Sequence, residues 1–222
     1  MKKTITVIFM SILMACNSAI ADSTNIGITL GMANMDASGS HTTSSASGAS
    51  GGTAVSSSGD ADFELASIFI EREIEAGAAN IVIGLDAIPF TAEVDKLGGG
   101  DGFDATVEVG NLLTAYIQPT FNASGDMQLF IKAGYAQADL DIIETSRQAT
   151  ETGTAGTDGD TEKSLEGPMF GIGLQKGMDN GFVRFEGTFT DFDEISHTNS
   201  NGKVLKADAE MTRISISLGR SF

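Results

Sequence analysis

The sequence predicts an all-β chain: an eight-stranded antiparallel up-and-down transmembrane β-barrel behind an N-terminal signal peptide. Three observations predict it. Eight separate runs alternate apolar with small or charged residues at a period of two. The connections between runs alternate long and short. Beyond residue 21 no segment reaches the roughly 18 consecutive apolar residues of a membrane-crossing helix, although the glycine-rich runs are greasier on one face than a soluble domain needs.

The first 21 residues read as a signal peptide. Lys2 and Lys3 form a basic start, an apolar run follows from Ile5 to Ala15, and small residues at Ala19 and Ala21 are spaced as a cleavage site. Cleavage after Ala21 leaves residues 22–222 as one barrel domain starting at Asp22. Leu13-Met14-Ala15-Cys16 offers the alternative of a lipid-modified cysteine, and an intact mass distinguishes the two. With cleavage at Ala21 the mature chain holds no cysteine, so packing and backbone pairing hold it without a disulfide.

The strands follow in order. Asn25–Asn34 sets Ile26, Ile28, Leu30 and Met32 against Gly27, Thr29, Gly31 and Ala33. Phe63–Glu73 opposes Ala66, Ile68 and Ile70 to Ser67, Phe69 and Glu71, and Asn80–Ile88 opposes Ile81, Ile83, Leu85 and Ala87 to Val82, Gly84 and Asp86. Ala105–Gln118 begins with Val107 and Val109 against Thr106 and Glu108, and its alternation falters at Gly110-Asn111, which predicts a bulge. Met127–Asp139 sets Leu129, Ile131, Ala133 and Tyr135 against Phe130, Lys132, Gly134 and Ala136. Met169–Lys176, Phe182–Phe192 and Ala207–Phe222 repeat the pattern around Ile172, Phe185 and Ile216. Strands of about ten residues match a tilted bilayer crossing. Residues 35–62, 89–104, 140–168 and 193–206 are expected as loops on one side, and residues 74–79, 119–126 and 177–181 as turns on the other.

Orientation follows from charge. The apolar faces carry almost no ions, and a lone Lys or Arg facing mid-bilayer lipid costs about 2–4 kcal/mol. The charged faces therefore turn inward, and Glu71, Asp86, Glu108, Lys132, Arg184, Glu186 and Arg213 are expected to form an ion network in the lumen. Aromatics near strand ends suggest two interfacial girdles: Phe63, Phe90, Phe103, Tyr135, Phe189 and Phe192 toward the loops, Tyr116, Phe121, Phe182 and Phe222 toward the turns. Loss of Lys2 and Lys3 moves the net charge from -17 to -19. Such acidity argues against nucleic-acid binding, which needs Lys and Arg for phosphate contacts.

The last strand alternates Ile214, Ile216 and Leu218 into a terminal Phe222, and resembles the assembly signal of outer-membrane proteins; Arg220 departs from the apolar residue usual there. The segment Phe170–Asp193 runs a G-x-G-x strand (Gly171, Gly173) through a tight turn into Arg184, Glu186, Asp191 and Phe192. It resembles the outer-membrane β-barrel family that includes OmpA-like, OmpX-like and opacity-type proteins. The close match covers about residues 167–222, and the remainder agrees in pattern only. The resemblance implies a monomer in the bacterial outer membrane, with outer-membrane lipid, the barrel-assembly machinery and periplasmic chaperones as partners. It implies no single activity, because the fold serves pores, adhesins, enzymes and structural proteins.

A structural, surface-exposed barrel without catalysis or cofactor is the expected function, its long acidic and Ser/Gly-rich outer loops open to adhesion or ligand contact, with a small porin-like channel and an outer-membrane lipid esterase as alternatives. Gly99–Asp104 resembles one calcium-binding nonapeptide, but such sites stack in tandem and only one copy is present. A hydrolase would need an oriented base, and the histidines, His41 and His197, both fall in expected loops.

Overall fold

The computed structural model describes residues 21–43, 53–76, 79–99, 103–147, 161–198 and 204–222. The strands are β1 (Ala21–Thr43), β2 (Thr53–Ala76), β3 (Ala79–Ile88), β4 (Ala92–Gly99), β5 (Phe103–Ser124), β6 (Met127–Arg147), β7 (Thr161–Met178), β8 (Gly181–Thr198) and β9 (Val204–Ser221). All pairings are antiparallel between sequence neighbours, apart from two that close the ring. β1 pairs with β9 along Asn25↔Ser221 to His41↔Leu205. β3 pairs with β5 along Asn80↔Thr120 to Ile88↔Leu112. β1, β2, β3 and β5–β9 are thus the eight staves of a closed barrel, and the end is latched by mutual backbone hydrogen bonds of Thr24 and Phe222 at 2.9 and 3.1 Å. Closure pairs every neighbouring stave on the turn side of Ile68↔Ala87, the condition for burying a sheet in hydrocarbon.

The third stave is broken. Its upper part is β4, which pairs with β5 from Ala92↔Val109 to Gly99↔Phe103 after the non-strand residues 89–91. Pro89 supplies no backbone donor and interrupts the ladder. Opposite the break, β5 carries the expected bulge: the register slips between Gly110 and Leu113, and Asn111 takes a φ of 51°.

Seven staves run 18 to 24 residues, about twice the expected length. Much of 35–62, 89–104, 140–168 and 193–206 is therefore paired strand and not loop. The missing signal has a physical reason. Beyond the membrane the ladder continues in water, where the apolar residues move to the inward face and Ser-, Gly- and Asp-rich residues face out, so the outward pattern stops.

The two faces exchange character at that boundary. Toward the turns, Ile28, Leu30, Met32, Ile68, Ile172, Phe185, Ile214 and Ile216 all point outward and are exposed. Ile83, on the same face of β3, is half-buried. Toward the loops the polarity inverts: Met35, Leu65, Phe192 and Met211 are buried inside, while Asp36, Glu64, Asp193 and Glu210 are exposed outside. One end of the cylinder is thus greasy outside and ionic inside, the other an ordinary water-facing barrel with an apolar core. The inversion between Met32 and Ala33 on β1, and between Glu210 and Ile214 on β9, marks the edge of the apolar belt.

Candidate functional site

The belt encloses a layer of ions. Arg184 on β8 donates from Nη1 and Nη2 to the two carboxylate oxygens of Glu71 on β2, at 2.6 and 3.0 Å. Its Nε and Nη2 also donate to Gln175 Oε1 on β7, at 3.0 and 2.8 Å. Tyr116 on β5 donates to the same carboxylate of Glu71 at 2.6 Å. A second group lies nearer the loops. Lys132 on β6 meets Glu186 on β8 at 2.5 Å, Arg213 on β9 bridges Glu186 at 2.9 Å and Asp86 on β3 at 3.2 Å, and Ser67 donates to Asp86 at 2.7 Å. Thr29 and Ser217 share a 2.8 Å hydrogen bond between β1 and β9.

Every residue of these groups is buried, Glu71 completely and Arg184 at 2% exposure. Four aromatic rings pack among them. The Arg184 guanidinium lies 4.6 Å from the Phe182 ring centre, 5.3 Å from Phe130 and 5.5 Å from Phe69, and Phe69 and Phe182 stack at 6.1 Å. Lys132 Nζ lies 4.3 Å above the Tyr116 ring. Each ring leans over a glycine directly opposite it on the next strand: Phe69 over Gly27, Tyr116 over Gly84, Phe130 over Gly173 and Phe182 over Gly219. A Cβ on any of the four glycines would enter the partner ring. The strand glycines thus provide the recesses that let large rings fit a narrow lumen.

Six of the seven residues singled out for the lumen lie in these two groups: Glu71, Asp86, Lys132, Arg184, Glu186 and Arg213. Glu108 stands in β5 opposite Glu93 and Asp141, and its side chain lies outside the described residues. Its neighbour Val109 is the inward residue ahead of the bulge, and Leu112 and Tyr116 are inward after it, so the extra residue switches the alternation. Three girdle expectations are corrected. Tyr116, Phe182 and Phe192 are buried inside at 4%, 2% and 3% exposure. Their position near strand ends suggested the interface, but the strand register decides the face, and each sits on the inward side. Phe90, Phe121, Tyr135, Phe189 and Phe222 are exposed, and Phe63 packs half-buried against the loop-side core. Gln175 and Tyr116 were missed as partners because neither carries a charge at neutral pH. Ile214, Ile216, Leu218 and Phe222 all face outward. Residues 1–20 with Cys16, residues 100–102 of the glycine loop, the side chains of His41 and His197, and the Phe103 side chain lie outside the described residues.

No protein-family profile and no curated protein matches the chain. Solved structures that resemble it are outer-membrane proteins. Neisserial surface protein A is 10% identical, with 89% of this chain and 97% of that one covered at a TM-score of 0.45. Ail, the attachment invasion locus protein of Yersinia pestis, solved with the heparin analogue sucrose octasulfate, is 10% identical, with coverage of 87% and 99% and a TM-score of 0.42. The outer membrane protease OmpT of Escherichia coli is 10% identical, with coverage of 93% and 99% and a TM-score of 0.44. The fold itself rests on the ring of pairings described above. Greasy outside and ionic within, that ring is a membrane-spanning barrel of the outer-membrane type.

Proposed function

We propose that this outer-membrane-type barrel serves as a structural, surface-exposed protein of a Gram-negative-type bacterium, with a lumen that does not conduct and no catalytic activity. The observation that carries the reading is the luminal ion layer. Glu71, Arg184, Lys132, Glu186, Arg213 and Asp86 meet across the interior with aromatic rings packed between them. An eight-stranded barrel is only about wide enough for its own side chains. Each of the carboxylates Glu71, Asp86 and Glu186 is already bonded to an Arg or Lys and buried, which disfavours a role as a general base toward an outside substrate. The exposed belt makes membrane lipid the surrounding solvent, and the outward Ile214, Ile216, Leu218 and Phe222 on the final strand suit delivery by periplasmic chaperones and the barrel-insertion machinery. The long strands beyond the belt, with Asp36, Asp60, Asp62, Asp193 and Glu210 exposed, present an acidic surface to the outside.

Fractionation with heat-modifiable gel migration tests the location: a folded, faster-running form in the outer membrane is expected. Planar-bilayer recording tests the closed lumen. The wild-type barrel is expected to show no sustained ion conductance, and a stable open level would replace this reading with that of a small channel.

A further inference from the structure

The loop-side half of the lumen is apolar, and it is not fully walled off from the membrane. A cavity of about 350 Å³ lies on the loop side of the ion layer, where Met35, Leu65, Leu112, Phe192 and Met211 form its inner wall. Its lining continues out to Leu30, Ala66 and Phe90. Leu30 and Phe90 are exposed at 57% and 62%, and Leu30 belongs to the apolar belt. The cavity therefore passes through the wall.

The passage has a structural cause. β2 pairs with β3 only as far as Ile68↔Ala87, and among the described residues no backbone pairing joins the rest of β2 to β4. The break at residues 89–91 and the bulge at Asn111 flank this seam. Gly110 lines the cavity beside Thr91, and a Cβ there would meet the Thr91 hydroxyl at 2.7 Å. Thr91 thus packs onto Gly110 at the cavity's edge, and above Ile68↔Ala87 the wall between β2 and β4 lacks a backbone ladder among the described residues.

We infer that this seam admits one acyl chain of an outer-leaflet lipid, which lies between Ala66 and Phe90 and reaches the apolar chamber behind Phe192. Three features select that occupant. The volume falls within the roughly 300–1,000 Å³ of small-molecule sites. The interior wall is hydrocarbon with two methionines, Met35 and Met211, whose flexible thioethers adapt to a mobile chain. The mouth is continuous with the surface that already faces lipid, so a chain passes from leaflet to cavity without crossing water. Glu64 and Thr91 at the rim leave polar groups beside the lipid head.

This inference rests on the membrane location proposed above, and the test separates the two. The chain has no tryptophan, so a single introduced one reports its own surroundings. Phe192→Trp, Phe185→Trp and Phe182→Trp are compared in the full barrel, reconstituted into vesicles whose phospholipid chains carry bromine, a contact quencher. Phe185→Trp on the outer belt is expected to be quenched, Phe182→Trp in the sealed turn-side lumen to be spared, and Phe192→Trp to be quenched like Phe185→Trp. Adding Ala66→Phe, which fills the mouth, is expected to relieve quenching of Phe192→Trp alone. If Phe192→Trp is spared while Phe185→Trp is quenched, the chamber holds no lipid chain and the inference is overturned. Quenching that Ala66→Phe leaves unchanged overturns the seam as its route. If Phe185→Trp is itself spared, the membrane reading fails and the inference falls with it.

Discussion

Arg184 and Glu71 face one another across the lumen from staves that are not neighbours, joined by two parallel hydrogen bonds of 2.6 and 3.0 Å. The planar guanidinium matches the carboxylate fork, and Gln175 and three aromatic rings satisfy or cover the remainder of the cation. The pair ties β2 to β8 through the interior, a link that the backbone ladder does not provide. Glu71→Ala leaves Arg184 buried without its partner, and is expected to cost about 3–5 kcal/mol in urea unfolding of the vesicle-embedded barrel. The double variant Glu71→Met with Arg184→Met removes both charges and is expected to lose less than the single variant. A double variant no more stable than Glu71→Ala contradicts the pairing.

The glycine recesses give a second expectation. Gly173→Ala would push a Cβ into the Phe130 ring, and Phe130 packs against Arg184. A loss of about 1–3 kcal/mol is expected from the forced repacking. Gly187→Ala is the control, since the nearest atom to its Cβ is a backbone oxygen at 3.9 Å, and a change within about 0.5 kcal/mol is expected. Equal effects at both positions would mean that strand propensity and not ring packing sets the requirement.

Period-two alternation made the belt and the ion layer legible because both lie where one face must be greasy and the other must not. Arg184 and Glu186 stand two apart on one inward face, as do Ile214, Ile216 and Leu218 outward. The loop-side half was hidden by the inversion of polarity. Met35 and Asp36 obey the same alternation as Met32 and Ala33 with the faces exchanged, and an exchange without a break in the run looks like the end of a strand. The seam was hidden for a different reason: whether β4 joins β2 depends on pairing between segments distant in sequence. The bulge at Asn111 was visible as a fault in the alternation, but its effect on the side occupied by Val109 follows only from counting register through it.

The lumen gives a third expectation. Arg184→Ala removes the side chain on which Phe69, Phe130 and Phe182 converge. Stepwise ion conductance is expected in planar bilayers for Arg184→Ala where the wild type gives none. A silent variant that remains folded by heat-modifiable migration would show that the aromatic rings alone close the barrel.

A fourth concerns the belt. Ile172 is 69% exposed on β7, a position where a lysine would be harmless or helpful on a soluble protein. In a membrane, Ile172→Lys is expected to cost about 2–4 kcal/mol if the residue lies near the bilayer midplane. Asp193→Lys on the loop-side exterior is expected to change stability by no more than about 0.5 kcal/mol. Refolding into vesicles and denaturant titration measure both.

The central claim, lipid outside and ions inside, is met most directly by a nitroxide scan of residues 213–218 in β9, one label at a time in a Cys16→Ser background. Labels at positions 214, 216 and 218 are expected to collide readily with oxygen, which partitions into lipid, and poorly with a water-soluble nickel chelate. Labels at 213, 215 and 217 are expected to be shielded from both. Chelate access at 214, 216 and 218, or an absence of alternation along the strand, would contradict the account.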